Sequence, residues 1–396
     1  MGHSKAFVAT MGLLLGACSQ PQGDGGSGGS GGGTPLPATG VGHVFVIVLE
    51  NKGYDRTFTN APLPSPYLAQ DLPAMGQLLT HYYATGHASL DNYLSMISGQ
   101  PPNAITQADC PLFIDVLPGV VNPVDPDGTG IVVGQGCVYP ASTLTVADQL
   151  EAKGFSWRGY MQDMGADPAR EGATCGHPAV NAQDKTQSAT ATDQYATRHN
   201  PFVYFHSIID DQARCDAHVV NLDQLDSDLA SAGTTPNFVF ITPDLCADGH
   251  DGTCADGTSP GGYDGIDAFL RVWVPKIMAS PAYQHDGLLF VTFDESDDNN
   301  VDGNDACCGE PTGPNTTGPG AGNVNADPGF LLYPGGGRVG GVILSPFTRA
   351  GSVNDAPYNH YSFLRSVEDI FGLDHLGYAA QDGLEPFGAD VLNAGS

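Results

Sequence analysis

The sequence predicts an α/β fold in which a doubly wound, mostly parallel sheet is flanked by helices. Short, continuous apolar runs rich in β-branched residues are typical of strands buried on both faces. Helical patterns lie between these runs, and such alternation favours a doubly wound sheet. With 396 residues, 41% of them hydrophobic, the chain can fill one large α/β domain or two ordinary ones.

Four apolar runs carry the strand prediction. The first is residues 43–49, and similar runs occupy residues 237–241, 287–293 and 338–344. All four are predicted to be buried strands of a parallel sheet. A shorter strand is predicted at residues 82–85.

Helices are predicted from the spacing of apolar residues and from stop signals. The predicted ranges are 90–97, 145–153, 263–279 and 358–371. The third is expected to be interrupted near Pro275, and the fourth to end at Gly372 as a C-cap. The Gly/Pro-rich segments 101–140 and 297–328 are interpreted as long insertions, which are usually functional or pinned by disulfides.

The N-terminus predicts an exported protein. Residues 7–17 form an apolar run that is too short to span a bilayer and fits a secretory signal. The segment that ends at Cys18 resembles a bacterial lipobox, although an ordinary signal peptide containing Cys18 is the alternative. The expected organisation is a signal peptide with a lipobox at 1–18, a flexible Gly/Ser-rich linker at 19–41 and a catalytic domain at 42–396. Membrane contact is expected only through the lipid anchor.

The formal net charge of −30 makes a nucleic-acid partner improbable. Such a chain repels polyphosphates at long range. No feature of the sequence predicts an obligate protein partner.

Eight cysteines remain once Cys18 is set aside, which in an exported chain predicts disulfides. Pairing each cysteine with its neighbour gives 110–137, 175–215 and 246–254 and leaves the adjacent pair 307 and 308. These two cysteines either form a vicinal bridge with each other or pair with other cysteines. The sequence does not fix the connectivity.

Acidic and amide side chains follow two predicted strands. Glu50 and Asn51 end the first, and Asp294 and Glu295 end the strand at 287–293. Parallel strands bring their carboxyl ends to one edge, where adjacent carboxylates repel unless they are protonated or bridged by a cation. The sequence therefore predicts a metal site, with helix capping or solvated acids as the alternative.

Ser89 lies between these strands, just before the predicted helix 90–97. A helix N-terminus favours an anion, so a hydroxyl held there beside a metal is a candidate nucleophile. Asn92, one turn on, is placed to donate to a phosphoryl oxygen. The alternative is that Ser89 is an ordinary N-cap.

Three further residues are candidates for a second metal. Asp244 and His250 lie in the loop after the strand at 237–241, and His360 opens the last helix. His360 is alternatively a proton donor or a helix-start residue.

Taken together, these motifs resemble the bacterial and fungal phosphoesterase family of acid phosphatases and phospholipases C, within the alkaline phosphatase superfamily. The matching stretches follow one another in order and cover nearly all of residues 43–373; they are VFVIVLENKGYDRTF, GHASLDNYLSMISGQPP, LEAKGFSWRGYMQDM, RHNPFVYF, TPNFVFITPDLCADGHDG, LLFVTFDES and YNHYSFLRSVEDIFGL.

The resemblance implies an alkaline phosphatase-like fold and a role for each motif residue. Glu50, Asn51, Asp294 and Glu295 fall at the first metal position, Ser89 at the nucleophile, Asn92 at the phosphoryl-oxygen donor, and Asp244, His250 and His360 at the second metal. It makes His87, His199 and Asn200 candidates for substrate contact or leaving-group protonation. Glu295 stands where many superfamily members have His, and this harder ligand favours Ca²⁺, Mg²⁺ or Mn²⁺ over Zn²⁺. A second metal is left open.

The predicted function is a metal-dependent, acid phosphatase-like phosphomonoesterase that acts on a phosphate ester through a phosphoserine intermediate. The alternatives are a phosphodiesterase or phospholipase C acting on phospholipid head groups, a catalytically inactive surface binding protein, and a structural cation-binding protein of the cell envelope.

Overall fold

The computed structural model describes residues 40–121, 130–297, 305–311, 313–315 and 335–393. The predicted signal peptide with its lipobox, nearly all of the linker and most of the insertion 297–328 lie outside the described residues. The predicted boundaries at residues 18 and 41 remain predictions. No helix in the described ranges is long and apolar enough to cross a membrane.

A central eight-stranded sheet organises the molecule. In chain order its strands are β1 (His43–Leu49), β2 (Gln77–Leu79), β3 (Trp157–Met161), β4 (Val219–Asn221), β5 (Phe238–Thr242), β6 (Gly287–Phe293), β7 (Gly341–Leu344) and β8 (Ser352–Asn354). Across the sheet they are arranged in the order β8-β2-β7-β6-β1-β5-β3-β4.

The predicted fold class is confirmed, because all but one of these strands run in the same direction. β1 pairs in parallel with β5 and β6, and β3 pairs in parallel with β5 and β4. The prediction was wrong for residues 338–344: the strand begins at Gly341 and pairs antiparallel with both β6 and β2. Burial on both faces gives an antiparallel strand the same continuous apolar pattern, so the sequence does not reveal its direction.

Helices cover the sheet, and the predicted ones are present with shifted ends. The α-helices are α1 (Leu72–Met75), α2 (Ser89–Ser98), α3 (Val146–Ala152), α4 (His206–Ile209), α5 (Gln212–His218), α6 (Leu225–Asp228), α7 (Gly262–Ala279), α8 (Pro281–Asp286) and α9 (His360–Phe371). Single-turn 3₁₀ or π segments lie at Asp55–Thr59, Tyr67–Asp71, Thr106–Ala108, Thr197–His199, Pro201–Tyr204, Leu222–Gln224 and Gly377–Ala380.

Two helix predictions need correction. α7 continues through Pro275 to Ala279 instead of breaking there, with Val274 and Ile277 buried on its inner face. Tertiary packing outweighs the hydrogen bond that proline removes. The last helix begins at His360, because the two residues before it form a short strand, Tyr358–Asn359, parallel to Tyr82–Tyr83. Gly372 is the predicted left-handed C-cap.

Two short antiparallel strand pairs and four disulfides pin the loops. Leu112–Phe113 pairs with Ala182–Gln183, and Leu117–Val121 pairs with Val132–Gln135. The disulfides are Cys110–Cys137, Cys175–Cys215, Cys246–Cys254 and the vicinal Cys307–Cys308. The neighbour pairing considered from sequence is therefore the one that the fold adopts.

Candidate active site

The candidate site forms where β1, β5 and β6 end side by side. Backbone hydrogen bonds join the segments that leave these strands: the Glu50 amide donates to the Asp248 carbonyl and the Asp294 amide to the Leu49 carbonyl, both at 2.9 Å. The N-terminus of α2, with Ser89 as its first residue, meets the same edge. Parallel pairing thus brings together residues that are far apart in sequence.

Ser89 is held by Glu50, so it is not an ordinary N-cap. The N-cap residue is Ala88. The Ser89 hydroxyl donates to Glu50 Oε2 at 2.9 Å, and the Tyr93 hydroxyl donates to Glu50 Oε1 at 2.6 Å. Glu50 is fully buried. A buried carboxylate therefore fixes the direction of the Ser89 hydroxyl.

Glu50, His199 and Asp248 form a buried group whose ligand atoms lie within 4.8 Å of one another. His199 Nε2 is 3.4 Å from Glu50 Oε2, and His199 Nδ1 is 3.3 Å from Asp248 Oδ2. The imidazole stacks on the Tyr93 ring, with centroids 5.3 Å apart. Such a group can hold a metal ion.

On the side of β6 the group continues with four further residues, which are Asn51, Asp294, Glu295 and His87. The Asn51 amide N–H donates to Asp294 Oδ1 at 2.9 Å, and its side chain donates to Glu295 Oε1 at 3.3 Å. His87 Nδ1 lies 3.0 Å from Glu295 Oε2. Asn51 has a φ of 49°, a left-handed conformation that Asn tolerates better than most residues. The turn directs the chain of β1 back toward Asp294.

The oxygens of this cluster fit a cation. Asn51 Oδ1, Asp248 Oδ2 and Asp294 Oδ2 are buried and accept no hydrogen bond from the described part of the chain. Buried polar atoms are normally satisfied, so three unsatisfied acceptors close to Glu50 indicate that a positive partner belongs there. Oxygen-rich donor sets of this kind suit hard divalent cations.

The shifted pKa values of the cluster also indicate that a cation belongs there. Burial and then the neighbouring carboxylates Asp294 and Asp248 raise the pKa of Glu50 well above its usual range. Burial raises the pKa of Asp294 to about 6. Burial, followed by Arg198, lowers the pKa of His199 well below 6.5, so the imidazole is neutral at neutral pH and able to act as a metal ligand.

Asn92 braces the loop in front of Ser89. Its Oδ1 accepts from the backbone amides of Thr85 and Gly86, and its Nδ2 donates to the carbonyls of Gly86 and Ala88. Both amide hydrogens are thus engaged in the protein. These contacts hold the loop that carries His87, and the phosphoryl-oxygen contact remains a prediction.

Four other predicted residues lie beside the cluster or outside it. His360 is buried, with Nε2 at 2.6 Å from the Asp294 carbonyl oxygen and Nδ1 at 3.0 Å from the Tyr82 hydroxyl. Asp244 accepts from the amides of Cys246 and Ala247 and lies one turn before Asp248. His250 is on the surface, 2.7 Å from Asp251. Asn200 donates to the Tyr195 hydroxyl.

Several residues of the site were not selected from sequence. Asp248 lies in the loop that suggested Asp244 and His250, and Tyr93 lies one helical turn after Ser89. Arg198 directly precedes His199 and is 4% exposed. Asp91 is also buried, and neither of its side-chain oxygens has a hydrogen-bond partner in the described ranges. Helical spacing is the signal that would have found Tyr93.

The chain belongs to the Phosphoesterase family, whose model matches residues 65–374. Among curated relatives, a protein named probable acid phosphatase from Kluyveromyces lactis is 25% identical over 84% of this chain and 59% of its own length. An acid phosphatase from Aspergillus fumigatus is 23% identical over 84% of this chain and 55% of its own length. The chain thus spans somewhat more than half the length of these fungal relatives.

A bacterial relative is covered more fully. A protein named phosphatidylinositol-3-phosphatase from Mycobacterium tuberculosis is 21% identical over 85% of this chain and 79% of its own length. Among solved structures, a protein in the alkaline phosphatase superfamily from Vibrio parahaemolyticus covers 86% of this chain and 71% of its own, with 12% identity and a TM-score of 0.46.

Proposed function

We propose that this chain is an exported, metal-dependent hydrolase of phosphoric monoesters in which Ser89 is the nucleophile. One observation carries the proposal: the Ser89 hydroxyl, at the N-terminus of α2, donates to the buried Glu50 within a cluster of unsatisfied oxygens. The names of the relatives agree with this chemistry. The disulfides agree with export, and the lipid anchor at Cys18 stays part of the proposal.

Glu50, Asn51, Asp294 and Glu295 would hold the first divalent cation, together with Asp248 and His199. Bound there, the cation would supply the positive charge that lowers the pKa of the Ser89 hydroxyl and offsets the charge of the phosphoryl group. Asp244, His250 and His360 remain candidates for a second ion, but their present contacts do not join them into one group.

The chain's own residues then provide the route for the proton and the phosphoryl group. The Ser89 proton leaves toward Glu50 Oε2, Ser89 Oγ bonds to phosphorus, and the bond from phosphorus to the leaving oxygen breaks. His87 or His199 would protonate that oxygen. Water then attacks the phosphoserine, which releases phosphate and restores Ser89. The positive end of the α2 dipole stabilises the developing negative charge.

Arg198 is the cation that we assign to the substrate phosphate. Within the described ranges it donates one hydrogen bond, to the Gln187 carbonyl at 3.2 Å, and its Nε lies 3.8 Å from Asp109 Oδ2. Asp109 Oδ1 in turn accepts from the Leu90 amide at 3.0 Å, next to Ser89. Asp109 therefore links the Arg198 guanidinium to the start of α2. The remaining N–H groups of Arg198 can donate to a phosphoryl oxygen.

The test is phosphate release by purified protein combined with metal analysis. Wild type is expected to contain a divalent metal and to hydrolyse p-nitrophenyl phosphate faster than the bis-p-nitrophenyl diester. Ser89→Ala should remove nearly all turnover. Ser98→Ala, a buried serine whose hydroxyl donates to the Leu94 carbonyl at the far end of α2, is the matched control and should stay active.

Other results of these assays would favour a different function or a different nucleophile. Faster cleavage of the diester would favour a phosphodiesterase of the phospholipase C kind. Metal binding without hydrolysis of either compound would favour a surface binding or structural protein. Full activity of Ser89→Ala would reject Ser89 as the nucleophile.

A further inference from the structure

A cavity of about 250 Å³ lies beside the loop that follows β5. Its walls come from that loop, from α7 and from the segments after β3 and before the 3₁₀ turn Thr197–His199. None of the residues that line it is Ser89 or a member of the Glu50, His199 and Asp248 group. The mechanism proposed above makes no use of it.

One side of the cavity is acidic. Asp244 is 8% exposed, and its Oδ1 accepts only the backbone amides of Cys246 and Ala247. No Lys, Arg or His lines the cavity, and Asp244 forms no ion pair within the described ranges. Gln194, also on the wall, is 9% exposed, and its Oε1 has no hydrogen-bond partner there. Two oxygen acceptors thus lie at one cavity whose lining includes no cationic side chain.

The opposite side is apolar. Phe269 and Trp273 are buried in this wall of α7, and Val272 is 49% exposed. Lys276 stacks on Trp273, but its Nζ is paired with Asp226 at 2.7 Å. Aromatic and aliphatic side chains favour a hydrocarbon chain, and aromatic faces also attract cations.

We propose that this cavity binds a primary alkylammonium group. The ammonium N–H groups donate to the Asp244 carboxylate and to Gln194, and the alkyl chain packs against Phe269, Val272 and Trp273. A buried carboxylate with no cationic partner is costly, so charge complementarity selects an organic cation over a neutral or anionic ligand. This binding needs no turnover, so it does not depend on the proposed hydrolysis.

The site is also coupled to the candidate active site through the backbone. The Asp248 amide donates to the Asp244 carbonyl at 2.9 Å, so the two carboxylates lie one turn apart in the same loop. Neutralising Asp244 with a bound ammonium group removes a negative charge close to Asp248.

Tryptophan fluorescence tests the proposal, because Trp273 lines the cavity and the chain has only one other tryptophan, Trp157. The full chain is titrated with propylammonium chloride at constant ionic strength, with 1-propanol and tetramethylammonium chloride as comparison ligands. Trp273→Phe provides the blank. A saturable change is expected with propylammonium, a weaker one with tetramethylammonium and none with 1-propanol.

Substitutions at the cavity test whether the amine binds there. Asp244→Asn keeps the Oδ1 acceptor of the loop and should weaken propylammonium binding about tenfold. Val272→Lys places a cation at an exposed position of the rim, where it does not threaten the core, and should abolish binding. Asp382→Asn, an exposed carboxylate elsewhere, is the control and should bind as wild type does.

Three results would overturn the proposal. They are equal affinity in Asp244→Asn and Asp382→Asn, an equal response to 1-propanol or tetramethylammonium, and a response to Ca²⁺ in place of the amine. Retained binding in Val272→Lys would likewise show that the amine binds elsewhere. If the amine binds while no phosphate ester is hydrolysed, the cavity assignment stands and the proposed function fails.

Discussion

Replacing Glu50 by glutamine separates the role of its charge from the role of its shape. Two hydroxyls donate to this carboxylate, one from Ser89 and one from Tyr93. Hydrogen bonds to a charged group contribute about 1.5–3 kcal/mol and neutral ones about 0.5–1.5, so Glu50→Gln loses about 1 kcal/mol for each bond. Removing the ionisable group beside Asp294 and Asp248 offsets this loss, because burial and these two carboxylates raise the pKa of Glu50 well above its usual range and make its ionised form costly. The metal-free variant is therefore expected to unfold at or above the wild-type temperature.

The catalytic activity of Glu50→Gln should fall although its stability does not. The variant loses an anionic ligand and the acceptor of the Ser89 proton, and kcat is expected to fall by about 10²–10⁴-fold. A divalent cation at 100 times its Kd stabilises the wild type by about 2.7 kcal/mol, and this gain should vanish in Glu50→Gln.

The assays for this variant are thermal unfolding with and without chelator and hydrolysis of p-nitrophenyl phosphate. Glu368→Gln is the matched control, a buried glutamate in α9 outside the cluster. Wild-type turnover together with full stabilisation by the metal in Glu50→Gln would refute the reasoning.

Two further predictions address Arg198 and Glu368. Arg198→Gln should raise KM for phosphate esters about 10–100-fold and weaken inhibition by inorganic phosphate equally, because a charge-assisted contact is lost. Steady-state kinetics measures this beside the control Arg365→Gln, which removes a guanidinium that donates to the carbonyls of Ala379 and Gln381. Unchanged phosphate inhibition in Arg198→Gln would contradict the prediction. Burial raises the pKa of Glu368 well above its usual range, so the folded state holds a proton longer than the unfolded state, and stability should fall as pH rises from about 4.3 through the raised folded pKa. Glu368→Gln should remove this fall in melting curves across pH; a variant curve parallel to that of wild type would show that Glu368 does not titrate in this way.

The strands of the sheet were predictable because strands buried on both faces are continuous apolar runs in the sequence. The runs that became β1, β5 and β6 are almost entirely apolar, and their positions agree with the structure within one residue. The direction of β7 was not predictable, because strand direction is set by pairing with β6 and β2 rather than by composition. Likewise, Pro275 predicted a helix break that packing against the core prevents.

The candidate site was predictable to the extent that its residues lie next to strand ends. Glu50, Asn51, Asp294 and Glu295 follow β1 and β6 directly, and parallel pairing brings them together. Asp248 was missed because its place depends on a loop closed by a disulfide and by a backbone bond to Glu50.

Ser89 itself illustrates the remaining difficulty. The sequence gives a hydroxyl near a helix start, which is compatible with an N-cap, a nucleophile or neither. Only the three-dimensional contact with Glu50, a residue 39 positions away, distinguishes these possibilities. Long-range side-chain contacts of this kind leave no periodic signal in the sequence.

Mass spectrometry of the acid-quenched enzyme tests the central claim most directly. Wild type mixed with a monoester substrate and quenched during turnover should yield a peptide phosphorylated at Ser89, and Ser89→Ala should yield neither this peptide nor phosphate. Continued phosphate release by Ser89→Ala, or wild-type turnover in which Ser89 is never phosphorylated, would contradict the account.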